Sequence, residues 1–143
     1  MAADKPIPSV TVTRSGVNTY TARSAGGAEL RIGEPGQEGV FSPVELLQVA
    51  IAGCASMSAE PQLTSQLGED FDLTTTVDAV QNSEENRLEK LITTINTDLT
   101  ELDPRKQEKL IARAEKFIEK LCTVKRTLKH GVETETSVQS GSV

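Results

Sequence analysis

Hydrophobic and polar positions alternate with period two at the start of the chain. "VTVTRSGVNTYTAR" sets Val10 and Val12 against Thr11 and Thr13, breaks at Ser15-Gly16, and resumes through Val17, Tyr20 and Ala22. That alternation predicts half-buried strands, and the break predicts a hairpin. Gly26-Gly27 turns the chain into a third strand within "AELRI". The loop "GEPGQEG" follows, too rich in glycine for regular structure.

The period then changes to 3.6. Ser42, Pro43 and Glu45 form an S-x-x-E capping box with proline at the first helical position, which fixes a helix start. Leu47, Ile51, Cys54 and Met57 recur along one stripe, so Cys54 is expected on the apolar face. Its neighbours Ala50, Ala52, Gly53, Ala55 and Ser56 are small enough to let another segment approach closely. A kink or end is expected near Pro61, with closure at Gly68. "FDLTTTVDAV" and "RLEKLITTINTDL" return to period two around the polar "QNSEEN", predicting two long antiparallel strands. Asp103 and Pro104 cap a second helix, whose stripe Leu110, Ile111, Ala114, Phe117, Ile118 and Leu121 ends at Cys122. After "TVKRTLKHG" a last strand is expected in "VETETSV".

The predicted order is β-β-β-α-β-β-α-β. Strands and helices come in blocks without strict βαβ alternation, which gives an α+β fold with antiparallel sheets and two main helices. The 143 residues fit a single domain, with its core at about residues 8–138 and a polar C-terminal tail.

Charge narrows the partners. The formal net charge of -6 repels phosphate backbones and anionic membranes, so neither nucleic acid nor a membrane is an expected partner. The basic run "VKRTLKH" lacks interleaved aromatics and reads as a solvated face, and His130 reads as a surface histidine. "MAADKPIPSV" has neither the basic start nor the apolar run of a signal peptide, and a cytoplasmic location is expected.

In a reducing compartment two cysteines 68 positions apart are either inert buried thiols or chemically active ones. With a single histidine the chain has no Cys/His metal set, and no metal or organic cofactor is expected. Cys54 has a plain reading as a small core residue. The other reading is chemical: both cysteines lie on long apolar helices that must pack together, and a thiol pair able to close reversibly is a redox device. Such a thiol needs access and a cation, because the thiolate is the nucleophile and burial disfavours it. Arg14, Arg23, Arg31 and Arg126 are candidate cations, each with a plain reading as a solvated charge. Glu45 stands nine residues before Cys54, about 900 degrees of turn and about 13.5 Å along a helix axis. It cannot reach the thiol of its own helix, and its capping role accounts for it without chemistry.

"SPVELLQVAIAGC", the two long strands and the helix ending in "CTVKRTL" together resemble the OsmC/Ohr family of osmotically inducible and organic hydroperoxide resistance proteins, in one of its less-characterised OsmC-like branches. The resemblance implies an intertwined homodimer with two sites at the subunit interface. It implies a peroxidase in which Cys54 attacks the peroxide and becomes a sulfenic acid, Cys122 condenses with it to a disulfide, and an external dithiol reduces the product. The family's peroxidases place a glutamate where this chain has Val44, with Glu45 one residue later. The family arginine of the first hairpin falls near Asn18, leaving Arg31 as the candidate partner of the thiolate. The expected function is therefore a hydroperoxide reductase with Cys54, Cys122, Arg31 and Glu45 at its site. The alternative is a redox-sensing or small-ligand-binding protein without turnover.

Overall fold

The computed structural model describes residues 4–142. Its elements are β1 (Thr11–Gly16), β2 (Thr19–Arg23), β3 (Glu29–Ile32), α1 (Pro43–Leu67), β4 (Leu73–Asn82), β5 (Arg87–Thr97), α2 (Pro104–Leu121) and α3 (Thr123–His130). Three helices and two antiparallel sheets make an α+β fold. Contacts divide the chain into two compact units, one running to Val49 and the other starting at Ala50.

In the first unit β1, β2 and β3 form an antiparallel sheet in that order. The β1–β2 turn falls at Val17-Asn18, slightly beyond the predicted break, with Asn18 at φ 48. Asparagine tolerates this left-handed conformation better than other side chains with a Cβ. Beyond β3, Gly33 N–H donates to the Phe41 carbonyl at 3.0 Å and Phe41 N–H donates to the Arg31 carbonyl at 3.0 Å. These bonds close the Gly-rich loop. A Cβ at Gly33 would collide with the side chains of Gln37 and Val40, so only glycine fits there. The loop ends at the predicted capping box: Ser42 N–H donates to Glu45 Oε1 at 2.9 Å, and Glu45 N–H donates to Ser42 Oγ at 3.2 Å.

In the second unit β4 and β5 form a long hairpin in which Thr75 faces Ile95, Val77 faces Thr93 and Ala79 faces Leu91. Ala59, Leu63 and Leu110 form the buried core, with Phe71, Leu73, Ile95, Leu99, Ala114 and Ile118 packed against it. Asp103 accepts from Lys106 N–H at 2.9 Å and Pro104 opens α2, as the sequence predicts.

Three expectations need correction. The buried stripe of α1 is Ile51, Ala55, Ala59 and Leu63, whereas Met57 is 73% exposed and Cys54 half-buried. A spacing of four keeps these residues on one face, and small alanines allow the close packing that a methionine would block. Pro61 neither ends nor visibly interrupts α1, which continues to Leu67 and closes at Gly68, whose N–H donates to the Thr64 carbonyl at 2.9 Å. Pro61 and Met57 are both exposed, on a side where water can serve the carbonyl that proline's missing N–H leaves without an intrahelical donor. Finally, "TVKRTLKH" forms α3, while the strand expected in "VETETSV" is absent: residues 131–142 have no ladder partner. A strand is held by an adjacent edge, and the two apolar side chains of this segment, Val132 and Val138, remain exposed.

Candidate active site at the junction of two helices

Cys122 has two positions at once. It caps the C-terminus of α2, its N–H donating to the Ile118 carbonyl at 2.9 Å, and it is the N-cap residue of α3. Its extended backbone, φ -70 and ψ 96, lets one helix end and the next begin without an intervening loop. Its carbonyl accepts from Arg126 N–H at 3.0 Å, the first bond of α3. The side chain is wholly buried.

The residue brought against it is Cys54, from the middle of α1. The two thiols are near enough to act on one another electrostatically, and both are free. Buried Ala55 beside Cys54 and Ser56, whose Oγ lies 2.6 Å from Thr75 Oγ1 on β4, fix this stretch of helix. The Ser56 hydroxyl also lies 2.7 Å from the Ala52 carbonyl, and the Ser58 hydroxyl donates to the Cys54 carbonyl at 2.7 Å. Such hydroxyl bonds to the preceding turn hold side chains back against the helix. They supply local polar partners around an otherwise small-residue surface.

Burial pushes the Cys122 thiol above the usual cysteine range, because a thiolate there loses solvation. Lys125, three residues on, acts the other way through its backbone N–H and then its charge, without a cap hydrogen bond to the sulfur. The neighbouring Cys54 pushes the Cys122 thiol further upward. Lys125 is in turn ion-paired with Glu119 of α2, and Lys129 Nζ lies 3.8 Å from the same carboxylate.

The other two expected site residues lie in the first unit. Arg31 is exposed on β3 opposite Thr21, and among the described residues its guanidinium makes no ion pair. Glu45 is exposed, and the Ser42 N–H, then the Ser42 hydroxyl, hold its carboxyl below the usual range. Its placement is that of a capping residue. Cys54 and Cys122 are thus the pair that the structure brings together.

Beside them, within the second unit, is a groove of about 1050 Å³. Its apolar lining includes Ile51, Ala55, Leu91, Ile95, Leu110 and Ile118, with Glu119 and Lys125 also at its wall. Neither thiol lines it. Among the described residues no group of three or more His, Cys, Asp or Glu is placed to hold a metal ion, and no helix is long and apolar enough to cross a membrane.

The OsmC-like protein family model matches residues 36–137. An uncharacterised protein of Mycobacterium tuberculosis is 33% identical over 127 residues, covering 89% of this chain and 93% of its own. Among solved structures, the organic hydroperoxide resistance protein OhrB of Bacillus subtilis is 24% identical with a TM-score of 0.55, covering 85% of this chain and 90% of that one. An organic hydroperoxide resistance protein OsmC of Legionella pneumophila is 20% identical with a TM-score of 0.58, covering 87% and 92%. These two structures share the fold. The family match contains the α1 cap, both thiols, and the hairpin and helices between them, and on it, with the mycobacterial relative, the chain belongs to the OsmC-like protein family.

Proposed function

We propose that this chain is a thiol-dependent peroxidase that reduces organic hydroperoxides, and hydrogen peroxide as a smaller substrate, through a cycle between Cys54 and Cys122. The observation that carries the reading is the juxtaposition of two free thiols, one half-buried and the other wholly buried. The names of the Bacillus and Legionella structures support the same chemistry.

In the first step the Cys54 thiolate attacks one peroxide oxygen. The S–O bond forms as the O–O bond breaks, and the departing alkoxide takes a proton to leave as an alcohol. Cys122 then attacks the Cys54 sulfenic sulfur, the S–S bond forms, and hydroxide leaves with a proton as water. An external dithiol returns both cysteines to thiols and is itself oxidised to a disulfide. Cys54 is the peroxidatic residue because it is the more open of the two; Cys122 needs only to reach Cys54.

In this reading the working unit is a homodimer. Val12, Tyr20 and Leu30 of the first sheet, and Val10 just before it, are exposed apolar side chains of the kind a partner covers. Arg31 supplies the cation that holds the Cys54 thiolate. Glu45 acts across the subunit interface, since nine residues of helix separate it from Cys54 on its own chain. The cycle runs in the cytoplasm, where a dithiol reductant is at hand.

One observation favours a second reading, a redox sensor or small-ligand binder. The apolar groove is large enough for a small ligand, and neither thiol lines it. Stoichiometric cumene hydroperoxide decides between the two, followed by stopped flow and by the mass of the Cys54–Cys122 peptide pair. Fast, stoichiometric disulfide formation is the expected result. Oxidation no faster than that of a free thiol would sink the peroxidase reading in favour of the binder.

A further inference from the structure

We infer that the free edge of β5, over residues 91–97, pairs antiparallel with the same strand of a second copy of this chain, in a register centred on Thr94. This pairing rests on the homodimer of the proposed function and not on its peroxide chemistry.

β5 is 11 residues long, and among the described residues β4 is its one ladder neighbour. Its other side is therefore an edge, whose outward N–H and C=O groups are a template for another strand. Proteins ordinarily blunt such an edge with charge, proline or a bulge. Residues 91–97 read "LITTINT", which contains neither charge nor proline and is rich in β-branched side chains. The β4–β5 bulge falls at Val80 and Gln81, against Lys90 and Leu88, outside this stretch.

The apolar groove lies along that edge. Its wall takes in every residue from 93 to 100, on both faces of β5, and among the described residues none of β4. Facing it on α2 are Ile111, 46% exposed, and half-buried Ala114 and Ile118. A strand laid along β5 would extend the ladder and cover this apolar wall.

Charge selects a second copy as the occupant and fixes the register. Directly opposed residues of an antiparallel pair share a face, so a two-fold pairing of β5 with itself is centred on one residue. Centred on Thr94, the strand sets Leu91 against the partner's Thr97 and Thr93 against the partner's Ile95 on the inner face, with Ile92 against the partner's Asn96 on the outer. The same register sets exposed Lys90 against the partner's Asp98, an opposite-charge pair that symmetry repeats at the other end. Centred on Thr93, Lys90 would meet Asn96 and Asp98 would meet Leu88; centred on Ile95, they would meet Thr100 and Ile92. Asp98 is already fixed at the strand end, its Oδ1 accepting from the Thr100 N–H at 2.9 Å and from the Thr100 hydroxyl at 2.7 Å. A symmetric contact of this kind uses the β5 edges of both copies and leaves neither to recruit a third chain.

The test is sedimentation velocity on the full chain, reduced and carrying a fluorescent label at its N-terminus so that nanomolar to micromolar concentrations are reached. Lys90→Glu places like charges at both ends of the seam. It is expected to raise the dimer dissociation constant about tenfold, because each interface holds two such pairs and an exposed pair contributes about two- to fivefold. Lys90→Glu with Asp98→Lys restores opposite charges and should return the constant to within about twofold of the parent. Thr94→Cys reads the register directly. In a Cys54→Ser, Cys122→Ser background that keeps the parental circular dichroism, mild oxidation should join two chains through residue 94, since opposed strand residues lie about 4.5–5.5 Å apart. Ile92→Cys should not join them, because four strand positions, about 13 Å, separate it from its own copy. A dimer indifferent to Lys90→Glu, or one in which Ile92→Cys joins as readily as Thr94→Cys, would overturn this pairing and leave the homodimer resting on another face. A monomer at every concentration would overturn both.

Discussion

Cys54 and Cys122 are neighbouring free thiols in different surroundings. Cys54 lies in the middle of a long helix among alanines, serines and a glycine, half-buried, with hydroxyl groups on the adjoining turns. Cys122 sits at the meeting of two helices, wholly buried. In the proposed cycle the difference suits the more open Cys54 to meeting a peroxide and the buried Cys122 to closing onto its partner.

The largest effect expected from breaking this asymmetry comes from the thiols themselves. Cys54→Ser should reduce hydroperoxide consumption by at least about 100-fold, since nucleophilic attack is lost with the thiolate. Cys122→Ser should still reduce one equivalent of cumene hydroperoxide and retain one oxygen on Cys54, visible by intact mass. Equal, slow consumption by both variants and the parent would erase the distinction between the two positions.

Next in size is Ala55→Leu. Ala55 is buried beside Cys54, and added methylenes in a packed site cost about 1–3 kcal/mol. Urea unfolding should show that loss, and closure of the Cys54–Cys122 disulfide should slow as α1 is displaced. A variant of parental stability would mean the small-residue surface is loose.

Gly53→Ala has the opposite sign. A Cβ at Gly53 meets nothing within 4 Å, and alanine favours a helix over glycine by about 1 kcal/mol. The variant should therefore unfold later in urea. If it also consumes peroxide more slowly, the glycine is kept for access or for a partner subunit, and not for packing within the chain.

The smallest effect is on the pH dependence of stability. Burial raises the folded pKa of Cys122 above that of the unfolded thiol. As pH rises, the unfolded chain releases that proton first, so the Cys122 contribution is fully present below about pH 8.5 and declines above it as the folded pKa is approached. Urea unfolding at pH 7 and pH 9 should show a decline attributable to Cys122, and Cys122→Ala should flatten it. An identical decline in that variant would place the titrating group elsewhere.

Much of this was legible in the sequence because its causes are local. Ser42-Pro43-Glu45 and Asp103-Pro104 announce their helices through bonds spanning three residues. The period-two runs announce the β4–β5 hairpin. The α1 stripe was drawn through Met57 because hydrophobicity identifies possible core residues without saying which face a sheet will cover. The packed face instead follows Ile51, Ala55, Ala59 and Leu63, where small side chains permit close approach. Residues 131–142 carry a strand-like alternation but no ladder, because pairing depends on an edge that the segment does not itself contain.

The sequence by itself determined the α+β class, the helix starts, the long hairpin and the two cysteines as the residues capable of redox chemistry. Tertiary structure decided that those thiols come together across 68 positions and that Cys122 begins α3 as well as ending α2. Caps and periodicity arise from hydrogen bonds and side-chain spacing within a few residues, so they can be read in order along the chain. Thiol contact and electrostatic surroundings arise from packing between distant segments, and their energies depend on distance and burial that no local pattern specifies.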